Sequence, residues 1–295
     1  MTRTLSERSE PKGLAIAGWR IDSVDTGRFW LDGGAMFGVV PWTMWSKLTP
    51  PDAKNRIELG MRAMLMRGHG RTVLVDCGAG DKWTPKMVDI YGIDHKTSSL
   101  ERGLAAHGLK PADVTDLLLT HLHFDHAGGL SKADPSGGLS LVFPKAKHWL
   151  QKSNLAWARN PHDRERASYL PEHVGPVGDA PGLELVDGPA EFLPGISLVC
   201  CDGHTFGQQL PLVHGPEGKL FYCADLVPTM NHLPVAWVMG YDLNALLSMK
   251  EKKDILDRAA KENWILFSEH DPRSAAARVT LDDKGKFVVR EKVDV

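Results

Sequence analysis

Residues 121–126 read His-Leu-His-Phe-Asp-His, followed by Ala127, Gly128 and Gly129. Three imidazoles and a carboxylate within six positions form a metal-binding pattern, of a kind that serves two ions. Zn²⁺ and its first-row neighbours accept such mixed ligands. His121 and His123 alternate, so on extended backbone they point the same way. Asp125 and His126 come just after, where a bend can aim them at a second ion. A His-rich surface loop is the plainer reading, and three later groups argue against it. His204 lies in Gly203-His204-Thr205-Phe206-Gly207, Asp225 follows the apolar run Leu220 to Cys223, and His270 follows Ile265 to Phe267. Singly, each is an ordinary loop or cap residue. As an ordered set at the ends of apolar runs they read as ligands on rigid supports.

The elements that must position these groups alternate between strand and helix. A strand is expected at Ala35–Val40, and a hairpin from Arg62–Met66 and Thr72–Val75 around Gly68-His69-Gly70. Val75-Asp76-Cys77-Gly78 ends a buried strand in an acid and a glycine turn. Ser98 or Ser99 caps a helix running to about His107, and Gly108 stops it. A strand at Leu117–Thr120 puts the His/Asp cluster on the loop that follows, where α/β enzymes place chemistry. A strand at Leu141–Phe143 and a helix from about Ala146 to Arg159 come next. Further strands are expected at Ile196–Cys201, Pro211–His214, Leu220–Cys223 and Ile265–Phe267. Asp242 is expected to cap a long helix reaching about Asn263, and 278–293 to form a hairpin around Asp282-Asp283-Lys284-Gly285. Residues 160–188 are rich in Pro, Gly and charge and read as an irregular loop, either a lid or a connection.

Composition narrows the function classes. A chain of 295 residues, 42% hydrophobic and 24% charged, is expected to form one domain over 14–295 behind a polar arm at 1–13. No run of eighteen apolar residues exists, so no membrane span is expected. The arm lacks the apolar core of a secretory signal, which points to the cytoplasm. A net charge of -2 speaks against a nucleic-acid surface. Cys77, Cys200, Cys201 and Cys223 make no Cys-x-x-Cys pair and read as reduced thiols. The expected partner is a small-molecule substrate, and a homodimer is compatible with the arm and the tryptophans.

With Asp76 in Leu-Val-Asp-Cys-Gly, the His121-x-His123-x-Asp125-His126 signature, His204, Asp225 and His270, the chain resembles the metallo-β-lactamase superfamily from about Met36 to Pro272. The resemblance implies an α/β fold, a four-layer αββα sandwich with metals at one edge between two sheets. It implies that His121, His123 and His204 hold one ion, that Asp125, His126 and His270 hold the other, and that Asp225 bridges them. Asp76 would orient the histidines of the first ion by hydrogen bonds. Two divalent ions, zinc first and manganese, cobalt or iron as alternatives, would leave room for a water that ionises near pH ~7 instead of ~15.7. Asp125 and Asp225 are then the catalytic carboxylates, with Asp125 placed to pass a proton to the departing alkoxide.

Within the superfamily, His-Leu-His-Phe-Asp-His-Ala-Gly-Gly is similar to N-acyl-homoserine lactonases and methyl parathion hydrolase. Similar segments are Met36-Phe37-Gly38-Val39-Val40-Pro41, Asn55-Arg56-Ile57, Ala224-Asp225-Leu226-Val227-Pro228 and Trp237-Val238-Met239-Gly240-Tyr241-Asp242. That branch implies opening of a lactone or a related ester, with a phosphotriester or aryl ester as the alternative. Its best-known lactonases carry a tyrosine three residues past the bridging aspartate. Here that residue is Pro228, and Tyr241 or His232 are the candidates for its role. Glyoxalase II would add a helical domain where a hairpin is expected here. β-Lactamases proper lack the bridging aspartate, and His123 argues against flavodiiron proteins. A mononuclear iron sulfur dioxygenase is the alternative of another class; one iron per chain, against two divalent ions, separates them.

Trp42, Trp45, His232 and Tyr241 are the expected substrate-pocket residues, with Trp83 also a candidate for an apolar mouth. Met61, Met64 and Met66 read as core of a strand pair. His148, His162, His173 and His214 are expected to face solvent, as is the run Lys250-Glu251-Lys252-Lys253-Asp254 on the long helix.

Overall fold

A computed structural model describes residues 13–134 and 136–295. The expected arm lies, apart from Gly13, outside the described residues. Strands β1 (Leu14–Ile16), β2 (Trp19–Asp32), β3 (Arg56–Gly68), β4 (Arg71–Val75) and β5 (Asp116–Leu118) build most of a first sheet. A short pair, β6 (Ser131–Ala133) and β7 (Leu139–Leu141), stands apart; β8 (Lys147–Gln151) and β9 (Leu183–Val186) then complete the sheet beside β5. The second sheet runs in chain order through β10 (Ala190–Leu193), β11 (Ile196–Cys201), β12 (Gln208–Gly215), β13 (Gly218–Tyr222), β14 (Ile265–Phe267), β15 (Ala276–Leu281) and β16 (Phe287–Val293).

The period-two pattern of β3 and β4 sorts side chains onto two faces. Met64, Met66, Val73 and Val75 pack with Leu198, Leu210, Leu212 and Phe221 of the second sheet. Ala63, Leu65 and Leu74 point the other way, onto Leu100 and Leu104 of a helix. The first sheet thus packs between the second sheet and a helix, and the helix Ala245–Glu262 packs on β15 of the second, which is the four-layer α/β sandwich expected from the sequence. Met61, Met64 and Met66 are fully buried, as expected of core.

Several local expectations are corrected. Ala35–Val40 is not a strand: α1 (Gly33–Phe37) starts there because Asp32 Oδ1 caps Ala35 N at 2.8 Å, and α2 (Trp42–Trp45) follows. Next come α3 (Pro85–Tyr91), α4 (Leu100–Ala106) with Ser99 as its cap, and α5 (Phe124–Ala127). The helix expected over 146–159 is two elements, β8 and α6 (Lys152–Arg159), because parallel pairing with β5 and β9 claims Lys147–Gln151. The strand expected at Leu141–Phe143 lies earlier, as β7. Residues 160–188 contain α7 (Pro171–Gly178) and β9. The long helix α8 (Ala245–Glu262) is capped by Asn244, whose Oδ1 accepts from Leu247 N at 3.1 Å, and not by Asp242. His148, His173 and Lys252 are buried instead of facing solvent. Lys252 is 1% exposed, and its ammonium donates to His232 O, Pro234 O and Trp237 O at 3.1, 3.3 and 2.7 Å. Among the described residues no helix is long and apolar enough to cross a membrane.

Candidate metal centre

Two parallel strand pairs, β4 with β5 and β13 with β14, end at the same edge of the molecule. Asp76 follows β4, His121 follows β5, Asp225 follows β13 and His270 follows β14. His204 comes from the turn after β11. His123 ends the extended stretch and α5 begins at once, which turns Asp125 and His126 inward. The Gly128-Gly129 pair lets the chain after α5 lie directly on the Cys77–Ala79 backbone: a Cβ on Gly128 would lie 2.1 Å from Ala79 O. Asp76 (φ 59°) and Ala224 (φ 38°) are left-handed although neither is glycine. Such conformations cost on the order of 1–3 kcal/mol and gather at functional sites.

The side chains converge in two sets. Ligand atoms of His121, His123, His204 and Asp225 all lie within 4.8 Å of one another, and so do those of Asp125, His126 and His270. Asp225 joins the sets. Its Oδ2 is 2.9 Å from His204 Nε2, 3.3 Å from His126 Nε2 and 3.6 Å from His121 Nε2, while Oδ1 is 3.2 Å from His270 Nε2. Ring nitrogens face ring nitrogens, His204 Nε2 to His123 Nδ1 at 3.1 Å and His270 Nε2 to His126 Nε2 at 3.2 Å. His121 Nε2 is buried without a hydrogen-bond partner. Buried acceptors aimed at each other around a shared carboxylate fit divalent cations.

Each histidine is fixed from behind, which selects the nitrogen it presents. His123 Nε2 donates to Glu165 Oε1 at 2.7 Å, so His123 presents Nδ1. His204 Nδ1 donates to Asp242 Oδ1 at 2.9 Å, and His270 Nδ1 to Gly60 O at 2.9 Å. His126 Nδ1 lies 3.0 Å from both Asp76 Oδ2 and Glu269 Oε2. His121 Nδ1 meets Thr120 Oγ1 at 3.0 Å, and that hydroxyl donates to Asp76 Oδ2 at 2.8 Å. Asp76 therefore touches His126 directly and reaches His121 only through Thr120. Sequence reasoning missed Glu165, Glu269 and Thr120, and gave Asp242 only a capping role. Glu269 and Thr120 each adjoin a singled-out histidine, which was a usable signal; Glu165 left none.

The cluster demands positive charge. Burial opposes ionisation of Asp225, yet His204 and His126 hold it well below the usual carboxylate range. Burial likewise works against charged imidazoles, but Asp225 and Asp242 raise His204 to about 10, and Asp225 and Glu269 raise His270 to about 9. His126 is also raised, by Glu269, Asp125 and Asp225 against burial. His121 goes the other way, lowered by burial and by His126, His123 and His204. Burial pushes Glu269 up to about 7. Protons meet this demand when nothing else does, and cations compete for the same nitrogens.

The site opens into a cavity of about 120 Å³ whose floor includes His123, Asp125, His204, Asp225 and His270. Its walls are apolar: Phe29, Leu31, Met36, Leu59, Phe124 and Met239, with Tyr91 and Tyr241. Arg164 and Ser168 form one rim. Of the expected pocket residues, Tyr241 lines this cavity, and among the described residues its hydroxyl finds no hydrogen-bond partner. The other three lie elsewhere. Trp42 is 56% exposed, and Trp45 is buried in a stack on Phe37. His232 stacks on the opposite side of the wall against Phe37, with Nε2 on Met36 O at 2.9 Å. Trp83 also stays off the cavity, packed on the edge of Phe124.

The metallo-beta-lactamase superfamily model matches residues 62–270. An N-acyl homoserine lactonase of a Bacillus species is 30% identical over 170 residues, 56% of this chain and 58% of that protein. The N-acyl homoserine lactonase AttM of Rhizobium radiobacter is 25% identical over 183 residues, 57% of this chain and 62% of that protein. The chain thus spans about three fifths of the length of the curated relatives it matches. Among solved structures, a probable metal-dependent hydrolase from Staphylococcus aureus superposes with a TM-score of 0.83 at 28% identity, covering 95% of this chain and all, 100%, of that one. AidC, a dizinc quorum-quenching lactonase, shares the fold with a TM-score of 0.78 at 18% identity, covering 97% and 100%. By the match over 62–270 and the site it encloses, the chain belongs to the metallo-beta-lactamase superfamily.

Proposed function

We propose that this protein is a dinuclear metal-dependent hydrolase that opens a lactone, an N-acyl homoserine lactone first, or cleaves a related ester. The observation that carries the reading is the convergence of seven buried ligand groups, in two sets joined by Asp225, with five of them, His123, Asp125, His204, Asp225 and His270, lining an apolar cavity. Relatives named as N-acyl homoserine lactonases supply the substrate class.

His121, His123 and His204 would hold one ion, Asp125, His126 and His270 the other, and Asp225 both; zinc is the first choice. Bound there, such ions supply Lewis acidity to the scissile carbonyl and make a water acidic near pH ~7. The chain's own groups do the rest. Glu165 and Asp242 hold His123 and His204 in orientation. The apolar walls take the acyl part and keep bulk water off the ester, so that charge developing on the carbonyl is weakly screened. The unpartnered Tyr241 hydroxyl donates to the carbonyl oxygen, in place of the tyrosine that Pro228 replaces. Asp125 faces the cavity and passes to the leaving alkoxide the proton that the attacking water gives up. The unpaired cysteines suit a reducing cytoplasm.

The test is turnover of a panel by protein loaded with two equivalents of zinc or manganese: short- and long-chain homoserine lactones, an aryl ester and an aryl phosphotriester. Lactone opening that disappears in Asp225→Ala is the expected result. Turnover of the ester or phosphotriester alone would reassign the substrate, and silence throughout with one tightly held iron would overturn the hydrolase.

A further inference from the structure

Beside the metal cavity, Trp157, Phe206, Leu243 and Leu246 line an open surface groove. Leu246 is 79% and Phe206 45% exposed, and Trp157 meets Phe206 edge-on at 4.7 Å. Exposed apolar side chains grouped in a groove offer a surface that an apolar ligand can cover. The groove adjoins the cavity, because Arg164 lines both. Its guanidinium is held at the boundary by Gly240 O and Asp242 O, leaving its methylene stem as a low wall. The groove is also continuous in chain with the metal site. Phe206 is two residues beyond His204, Leu243 follows Asp242, and Leu243 N donates to His204 O at 3.1 Å.

Size decides what would use it. A cavity of about 120 Å³ is on the scale of the roughly 150 Å³ cavity that holds one benzene ring, enough for a ring and a few carbons but not for a long chain. Resting on the lactone or ester reading, we propose that the Trp157–Phe206–Leu246 groove is the subsite for the distal part of a long acyl tail, which leaves the metal cavity over Arg164. The substrates favoured are then N-acyl lactones or esters with unbranched, uncharged tails too long for the cavity. No carboxylate lines the groove, and apolar contact is what a saturated tail offers.

The test is a chain-length series, N-butanoyl to N-dodecanoyl homoserine lactone, with p-nitrophenyl butanoate to dodecanoate in parallel. The protein is compared with Leu246→Glu. That position lies in the first turn of α8, where an acid is favourable, so the fold is unaffected. In the unaltered protein kcat/KM should climb with each methylene beyond the cavity, by up to about fourfold per fully buried group. Leu246→Glu should flatten the climb, costing about tenfold on the twelve-carbon tail and less than about twofold on the four-carbon one. A profile without length dependence, or one that Leu246→Glu leaves unchanged, overturns the subsite. The ester series separates this from failure of the lactone reading. If neither series turns over, calorimetry with ring-opened N-dodecanoyl and N-butanoyl homoserine decides: equal affinity, or a long-chain preference intact in Leu246→Glu, refutes the proposal.

Discussion

Glu165→Gln isolates the part of the account that rests least on the sequence signature. Glu165 is 3% exposed and accepts two buried N–H groups, His123 Nε2 on Oε1 at 2.7 Å and Trp157 Nε1 on Oε2 at 2.7 Å. Burial opposes its charge, but His123, Thr205 and Trp157 together keep it below the usual glutamate range, so it is a carboxylate at neutral pH. Glutamine has the same shape and one oxygen. Whichever way the amide turns, its NH₂ faces a donor. A buried donor left unsatisfied costs about 1–3 kcal/mol. If the oxygen stays with Trp157, His123 loses its anchor and its added basicity, and affinity for the ion it holds should fall about 10- to 100-fold, equivalent to about 1.4–2.7 kcal/mol. If the oxygen stays with His123, the cost appears instead as lower stability of the metal-free protein. The assay is competition for Zn²⁺ against a chelator, with thermal unfolding of metal-free protein alongside. Unchanged affinity together with unchanged stability would refute the orienting role of Glu165.

Asp242→Asn should weaken metal binding through His204 by a similar 10- to 100-fold, again read by chelator competition. Tyr241→Phe should lower kcat by about 10²-fold with metal content unchanged, as for loss of a donor to a developing oxyanion; equal kcat would remove Tyr241 from the reaction. Lys252→Met should destabilise the fold by about 1–3 kcal/mol in denaturant titration, because one buried and two partly buried carbonyls lose their donor. Stability of the metal-free protein should peak slightly below neutral pH. His204 and His270, raised to about 10 and 9, contribute stability that is full below about pH 6.5 and lost as pH rises through those values. His173 and His232, lowered to about 3 by burial, stay neutral when folded, so stability also falls as the pH drops from about 6.5 towards 3. Zinc-loaded protein should lose the alkaline decline, and the gap in Tm between loaded and metal-free protein should widen from pH 6.5 to 9.

The candidate metal cluster was legible because its chemistry is written locally. Four of its residues sit within six positions, and the other three each follow a short apolar run that no other role required. The strands β11, β13 and β14 and the closing hairpin were legible for the same reason. The 14-residue strand β2 was not, because Trp19–Asp32 mixes charge on both faces and a bulge between Asp25 and Gly27 breaks the alternation. Lys147–Gln151 reads locally as helix, and only its parallel neighbours, distant in sequence, make it the strand β8. His148 and His173 looked solvent-facing because nothing local to a histidine reveals its burial. Glu165, 42 residues from His123, belongs to the site only through tertiary approach. Trp42 and Trp45 drew attention as aromatics, yet the cavity wall is built from Phe29, Leu31 and Leu59 on strands of the first sheet.

Metal stoichiometry is the most direct measurement of the central claim. Protein stripped with chelator, dialysed and titrated with Zn²⁺ should take up two ions per chain. Asp225→Ala should lower the affinity for both, because Asp225 touches both ligand sets. One ion per chain, or two ions bound as tightly without Asp225 as with it, would contradict a dinuclear centre built on that bridge.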